Sequence, residues 1–201
     1  GGRLRSWDIV NDFILHLAGQ SSGEISFDNQ GLDLKKNTLS TLNLIKYGIK
    51  FKLKKIIYAS SMSVYGNVSK KIKEKNICKP LSCYGISKLM SERYLNIFKN
   101  KLPCVLLRMF NVYGPGQDLQ NLRQGMVSIY LAQALKNKKI IVKGSLDRIR
   151  DFIFISDVAE SWCRCVTNSN CKNISINVGT GVPTKVGKLL ELIKNKLPKV
   201  K

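Results

Sequence analysis

The sequence is poor in metal ligands and in acidic side chains. Its one histidine is His16, and its six cysteines (Cys78, Cys83, Cys104, Cys163, Cys165 and Cys171) contain no Cys-x-x-Cys pair. No zinc-ligand set is legible, and no metal is expected. The irregular cysteine spacing gives no disulfide framework, so the thiols read as reduced, as in a cytoplasmic protein. No apolar run approaches the roughly 18 to 20 residues of a membrane helix. The start, Gly1 to Asp8, lacks a basic region leading into an apolar stretch, which speaks against a secretory signal and a membrane partner. Asp and Glu number 13 against 34 Lys and Arg, a net charge of +21. Such an excess attracts polyanions. Here it is mostly lysine spread along the chain, with no zinc-finger spacing and no basic-aromatic RNP segment, and nucleic-acid binding is not expected.

What is present is a core-forming sequence of 201 residues, 44% hydrophobic, enough for one domain or one and a half. Asp12 to Ala18 reads as a buried parallel strand ending in Gly19. Leu32 to Tyr47 has helical spacing, with Gly48 as a plausible stop. Lys55 to Ser60 is a second strand, Tyr84 to Phe98 a helix, and Cys104 to Arg108 a third strand. After a loop over Asn111 to Gln117, a helix is expected near Gln124 to Leu135, short strands at Ile140 to Val142 and Asp151 to Ile155, and a helix beginning near Asp157. A strand at Ile174 to Val178 and an amphipathic helix at Thr184 to Leu197 complete the pattern. Alternating β and α units imply a parallel sheet with helices on both faces and a site past the carboxyl ends of its strands. The G-x-G-x-x-G loop that normally opens a dinucleotide fold is missing, since Gly114-Pro-Gly116 and Gly179-Thr-Gly181 lack the third glycine. The expectation is a doubly wound α/β sheet incomplete at its amino-terminal side.

Tyr84-Gly-Ile-Ser-Lys88 places a phenol and an ammonium four residues apart, on one face of a helix. About one such pair is expected by chance in a chain of this composition, so context decides. The context is Ala59-Ser60-Ser61-Met62-Ser63-Val64-Tyr65-Gly66 at the preceding strand end, followed by Leu107-Arg-Met-Phe-Asn-Val-Tyr-Gly-Pro115. With His16 to Gln20, Asn37, Arg150 to Asp157 and Asn177 to Gly181 in the same order, the sequence resembles the NAD-dependent epimerase/dehydratase family, an extended branch of the short-chain dehydrogenases. The resemblance spans about residues 12 to 193. Cys83 stands where that family often has proline.

The resemblance implies a Rossmann-like domain over residues 1–122 and, over 123–201, part of a small substrate-binding subdomain with returning sheet elements. It implies NAD as cofactor, a nucleotide sugar such as a UDP-hexose as substrate, and a homodimer. Tyr84 would be the base that takes a sugar hydroxyl proton while hydride leaves the same carbon. A phenol near pKa 10 is a poor base at neutral pH; lowering it by about three units takes about 4 kcal/mol. A cation about 5 Å away supplies about 3 kcal/mol at an effective dielectric near 20, so Lys88 and a positive nicotinamide would suffice together. Lys88 would also hold the ribose hydroxyls, and Ser61 would bond the reacting oxygen. Leu17, Ala18, Gly19, Gln20 and Asn37 would line the cofactor's centre, with Ala59, Ser60 and Phe110 near its nicotinamide half. Met62, Asn111, Met126 and Arg150 would join Ser61 and Tyr84 at the substrate, while His16 reads as a buried strand residue. Sugar 4,6-dehydratases of this family carry an acidic pair after the catalytic Ser or Thr. Met62 and Ser63 cannot do that proton work, which favours C4 epimerisation over dehydration and, less firmly, over decarboxylation. A non-catalytic nucleotide-binding relative is the reading from another class, but it has no use for Ser61, Tyr84 and Lys88 together.

Overall fold

The computed structural model describes residues 13–68 and 71–200. Strand β1 (Phe13–His16) leads to helices α1 (Gln30–Leu34) and α2 (Ser40–Lys50), joined by a π-helical stretch, Lys35–Leu39. Next come β2 (Lys55–Ser61), α3 (Cys83–Phe98), β3 (Cys104–Met109) and β4 (Asn111–Tyr113). The remainder is α4 (Met126–Asn137), β5 (Ile149–Arg150), β6 (Phe152–Phe154), α5 (Ile155–Thr167), β7 (Ile174–Val178), β8 (Thr184–Lys185) and α6 (Val186–Lys196). The main sheet is parallel with order β1-β2-β3-β7.

Its two faces are covered by different helices, which makes the fold Rossmann-like. Ile56, Tyr58, Leu106 and Cys104 pack with Ile45 of α2 and Leu95 of α3. Ile57, Ala59, Val105 and Leu107 face the other way, onto Val158, Trp162 and Cys165 of α5. Every residue of β2 is therefore buried, the reason this strand is an apolar run rather than an alternating one. Lys55 is the exception in kind. Its ammonium donates to the carbonyls of Cys165 and Asn168 at 2.7 and 3.1 Å, at the carboxyl end of α5, where the helix dipole favours a cation.

Three expectations need correction. Gly48 does not stop a helix: α2 runs to Lys50 and Gly48 is buried within it, because the bare Cα lets Leu102 come so close that a Cβ would lie 2.7 Å from its Cδ2. Ile140 to Val142 forms no strand; Ile140 and Val142 pack without pairing against Tyr130, Ala134, Val186 and Ile193, the small core between α4 and α6. Asn111 to Tyr113, expected as loop, pairs in parallel with β6. Asp12, expected to begin the first strand, lies outside the described residues.

Candidate active site

Helix α3 begins at an N-cap, Ser82, whose hydroxyl accepts the Gly85 N–H at 3.1 Å, a strong local start signal. Its first turn lies against the 3₁₀ turn Met62–Val64 that follows β2. A Cβ on Gly85 would meet the Ser63 carbonyl oxygen at 2.7 Å and Pro80 at 2.9 Å. Glycine after Tyr84 is thus what allows the helix and the serine turn to touch. The contact joins the two motifs: Ser61 caps the 3₁₀ turn by accepting the Ser63 N–H, donates to the Ser63 hydroxyl at 3.2 Å, and sits near enough to the Tyr84 phenol to lower its pKa.

Lys88, one turn further along α3, is 3% exposed. Its ammonium lies 5.0 Å from the Tyr58 ring centroid and 5.6 Å from that of Tyr84. Among the described residues it makes no hydrogen bond or ion pair, and its ammonium faces two aromatic rings. Burial pushes its pKa down to about 8, opposed by the carboxylate of Asp33. Asp33 is itself buried, accepting from the Ser87 hydroxyl at 2.6 Å and the Asn37 amide at 3.0 Å.

Without the cofactor, burial raises the Tyr84 pKa; Ser61 lowers it and Asp33 raises it again. Desolvation destabilises the charged forms of both Tyr84 and Lys88, and the buried carboxylate opposes the ammonium's pull on the phenol.

The remaining predicted residues fall into groups. Leu17, Ala18 and Gly19 are exposed past the end of β1, and Gln20 is half-buried. Asn37 is buried in the π-helical stretch, a geometry frequent at functional sites; among the described residues its Oδ1 has no hydrogen-bond partner, and it faces Gly19, where a Cβ would lie 2.4 Å away. Gly19 also has φ +149°. An unmet buried acceptor, an exposed glycine backbone beside it and an unpaired buried cation fit a polar cofactor such as a dinucleotide. Ser60 and Ala59 are buried in β2. His16 is buried, its Nε2 3.0 Å from the Thr41 hydroxyl, and burial lowers its pKa to about 4, helped by Lys88.

Met62, Phe110, Asn111 and Arg150 line one cleft of about 940 Å³ with the loop Gly179 to Pro183. Ser61, Tyr84 and Lys88 are not on its wall, though Met62 and Ser63 continue directly from Ser61. Met126 is not there either; it packs with the α4 and α6 core. The Asn111 amide donates to the Asp151 carbonyl at 2.9 Å. The Asp151 carboxylate holds the opposite lip, accepting from the Thr180 hydroxyl and the N–H groups of Thr180 and Gly181 at 2.7 to 2.9 Å. Sequence reasoning did not single out Tyr58, Asp33 or Asp151. Tyr58 and Asp33 do have signals: one is two residues before Ser60 on the same strand face, the other one helical turn before Asn37.

A parallel α/β sheet with a buried serine, tyrosine and lysine past the ends of its strands defines a Rossmann-like protein of the short-chain dehydrogenase class. The chain belongs to the NAD-dependent epimerase/dehydratase family, whose model matches residues 8–179. It is 33% identical over 190 residues to a putative UDP-glucose 4-epimerase of Methanocaldococcus jannaschii, covering 92% of this chain and 61% of that protein. It is 31% identical over 189 residues to an Escherichia coli dTDP-4-dehydro-6-deoxyglucose reductase, covering 92% and 59%. The crystal structure of the Thermotoga maritima UDP-glucose 4-epimerase with UDP-glucose superposes with a TM-score of 0.88 at 33% identity, over 94% of this chain and 62% of that one. The chain thus spans about six-tenths of the length of the relatives it matches. NAD is the cofactor of the family. Among the described residues no helix is long and apolar enough to cross a membrane, and no group of three or more His, Cys, Asp or Glu could hold a metal ion.

Proposed function

We propose that this chain carries the catalytic part of an NAD-dependent nucleotide-sugar 4-epimerase acting on a UDP-hexose. The observation that carries the reading is the Lys88 ammonium, set between the rings of Tyr58 and Tyr84 with no hydrogen-bond partner among the described residues, a placement that a ligand's hydroxyls would complete. NAD, when bound, would supply the hydride acceptor and a positive charge. The Tyr84 phenolate would accept the proton of the sugar C4 hydroxyl in the oxidation and return it in the reduction. Ser61 bonds the reacting oxygen and the phenol together. Lys88 donates to the cofactor's ribose and opposes protonation of Tyr84. Leu17, Ala18, Gly19, Gln20, Asn37, Ala59, Ser60 and Phe110 hold the cofactor, and Met62, Asn111 and Arg150 the substrate. Arginine suits a diphosphate because its charge is permanent and forked. Residues 1–122 form the cofactor unit, 123–201 contribute to the substrate unit, and the full-length protein works as a cytoplasmic homodimer.

Met62 and Ser63 offer no acid or base for loss of water, which supports epimerisation over dehydration. The reductase relative supports a second reading, reduction of a 4-keto sugar at the same residues. Proton NMR of full-length protein with NAD and UDP-glucose decides between them. Appearance of the galacto isomer without net NADH supports the proposal. Activity confined to a 4-keto sugar, with stoichiometric NADH consumption, replaces it by the second reading.

A further inference from the structure

Glu92 lies four residues after Lys88 and eight after Tyr84, on the same face of α3, yet it is 2% exposed. Its carboxylate is held by three donors. The Ser60 hydroxyl donates to Oε1 at 2.5 Å, Arg108 Nε to Oε1 at 2.9 Å, and Arg108 Nη2 to Oε2 at 2.6 Å. The guanidinium's other arm donates to the Tyr65 hydroxyl at 2.8 Å and to the Glu74 carbonyl at 3.0 Å. Tyr65 in turn donates to Asn177 Oδ1 at 2.6 Å, and Glu74 accepts the Asn177 N–H at 2.9 Å. Ser60, Arg108 and Asn177 are register partners across β2, β3 and β7, so one cross-strand row is bolted to one residue of α3.

A buried ion pair is a weak source of stability compared with apolar side chains of similar volume. What this one does is geometric. Ser60 adjoins Ser61, Glu92 shares a rigid helix with Tyr84 and Lys88, and Glu74 and Asn177 both line the cleft. The Gly85 contact presses the first turn of α3 against the serine turn, but a contact only sets a minimum distance. A bidentate Arg to carboxylate fork with a third donor fixes rotation and register as well.

We infer that Glu92 and Arg108 are positioning residues that lock α3 onto the end of β2, holding Tyr84 beside Ser61 and tying that placement to the cleft lip at Glu74 and Asn177. The inference rests on the role proposed above for Tyr84 and Ser61. A small misplacement of reacting groups is enough to cost large factors in rate. Moving Tyr84 away from Ser61 removes an influence that lowers the phenol's pKa.

The test is the double variant Glu92→Leu/Arg108→Met in full-length protein, which removes both charges and leaves neither buried alone. The Tyr84 phenol is titrated by ultraviolet difference absorbance, with Tyr84→Phe in each background to subtract the other tyrosines. The titration midpoint is expected to rise by about one unit, and kcat to fall about tenfold or more with KM changed less than about twofold. A folded double variant with unchanged midpoint and kcat overturns the inference. If that variant does not fold, Ser60→Ala, which keeps the ion pair and cuts only its bond to β2, is expected to show the same rise, and no shift there is equally fatal. The titration needs no sugar, so its outcome is separate from failure of the 4-epimerase reading, which product analysis of the wild type decides.

Discussion

Replacing Lys88 by methionine keeps the side chain's length and removes a buried charge. With a folded pKa of about 8 against an ordinary 10.5, the ammonium is disfavoured in the native state by about 3 kcal/mol. The sign follows from proton binding: between about pH 8 and 10.5 the unfolded chain holds a proton that the native protein has released, so wild-type stability rises with pH across that window. It is lost again as pH falls through 8. Tyr84, whose pKa is raised, acts oppositely, but only above its ordinary value of about 10. Lys88→Met is therefore expected to be more stable than wild type at neutral pH by up to about 3 kcal/mol, the gap closing as pH rises from about 8 to about 10. Urea unfolding of both proteins at several pH values in that range measures it. A gap independent of pH, or a less stable variant at neutral pH, refutes the description of Lys88 as a buried cation without a partner. The variant is also expected to lose turnover, since the function proposed above uses that charge.

Tyr84→Phe should abolish turnover while leaving NAD affinity within about threefold, because it deletes a hydroxyl and little packing; equilibrium dialysis beside a turnover assay checks both. Gly85→Ala would gain up to about 1 kcal/mol in an ordinary helix, but here its Cβ would meet the Ser63 carbonyl oxygen. Overpacking should make it destabilising by about 1 to 3 kcal/mol, with a drop in kcat, readable by thermal melting and initial rates. Buried His16, with its pKa lowered to about 4, is neutral when folded, so stability is expected to fall by about 3 kcal/mol as pH drops from about 6.5 through 4. His16→Gln should lack that share of acid sensitivity in a urea titration. Asn37→Ala, removing the unpartnered buried oxygen beside Gly19, should weaken NAD binding by about tenfold, measured by calorimetry.

The central strands were the legible part of the fold. β2 and β3 are apolar runs bounded by lysines, serines or proline, and α3 starts at a serine cap, so expected and observed limits agree within a residue. Where packing decides, sequence periodicity failed. Gly48 reads as a stop, yet it is the residue that lets Leu102 approach α2. Ile140 and Val142 have strand character but only fill the hollow between α4 and α6. The π-helical stretch around Asn37 has no sequence signature, since it widens an otherwise ordinary helix by one residue. At the site, spacing alone put Tyr84 and Lys88 on one face of α3. The partners that set their electrostatics, Tyr58 and Asp33, come from other elements and become visible only once β2 and α1 are docked beside α3. The same holds for Glu92 and Arg108, which in sequence are two charges 16 residues apart.

The central claim is that hydride leaves C4 of the sugar and returns to the same carbon while Tyr84 handles the hydroxyl proton. It is tested most directly by giving full-length protein, with NAD, UDP-glucose deuterated at C4 in ordinary water and examining the product by proton and deuterium NMR. The account expects UDP-galactose with deuterium retained at C4, no solvent proton at that carbon, and neither change with Tyr84→Phe. Exchange of the C4 deuterium with solvent, deuterium found at another carbon, or equal turnover by Tyr84→Phe contradicts it.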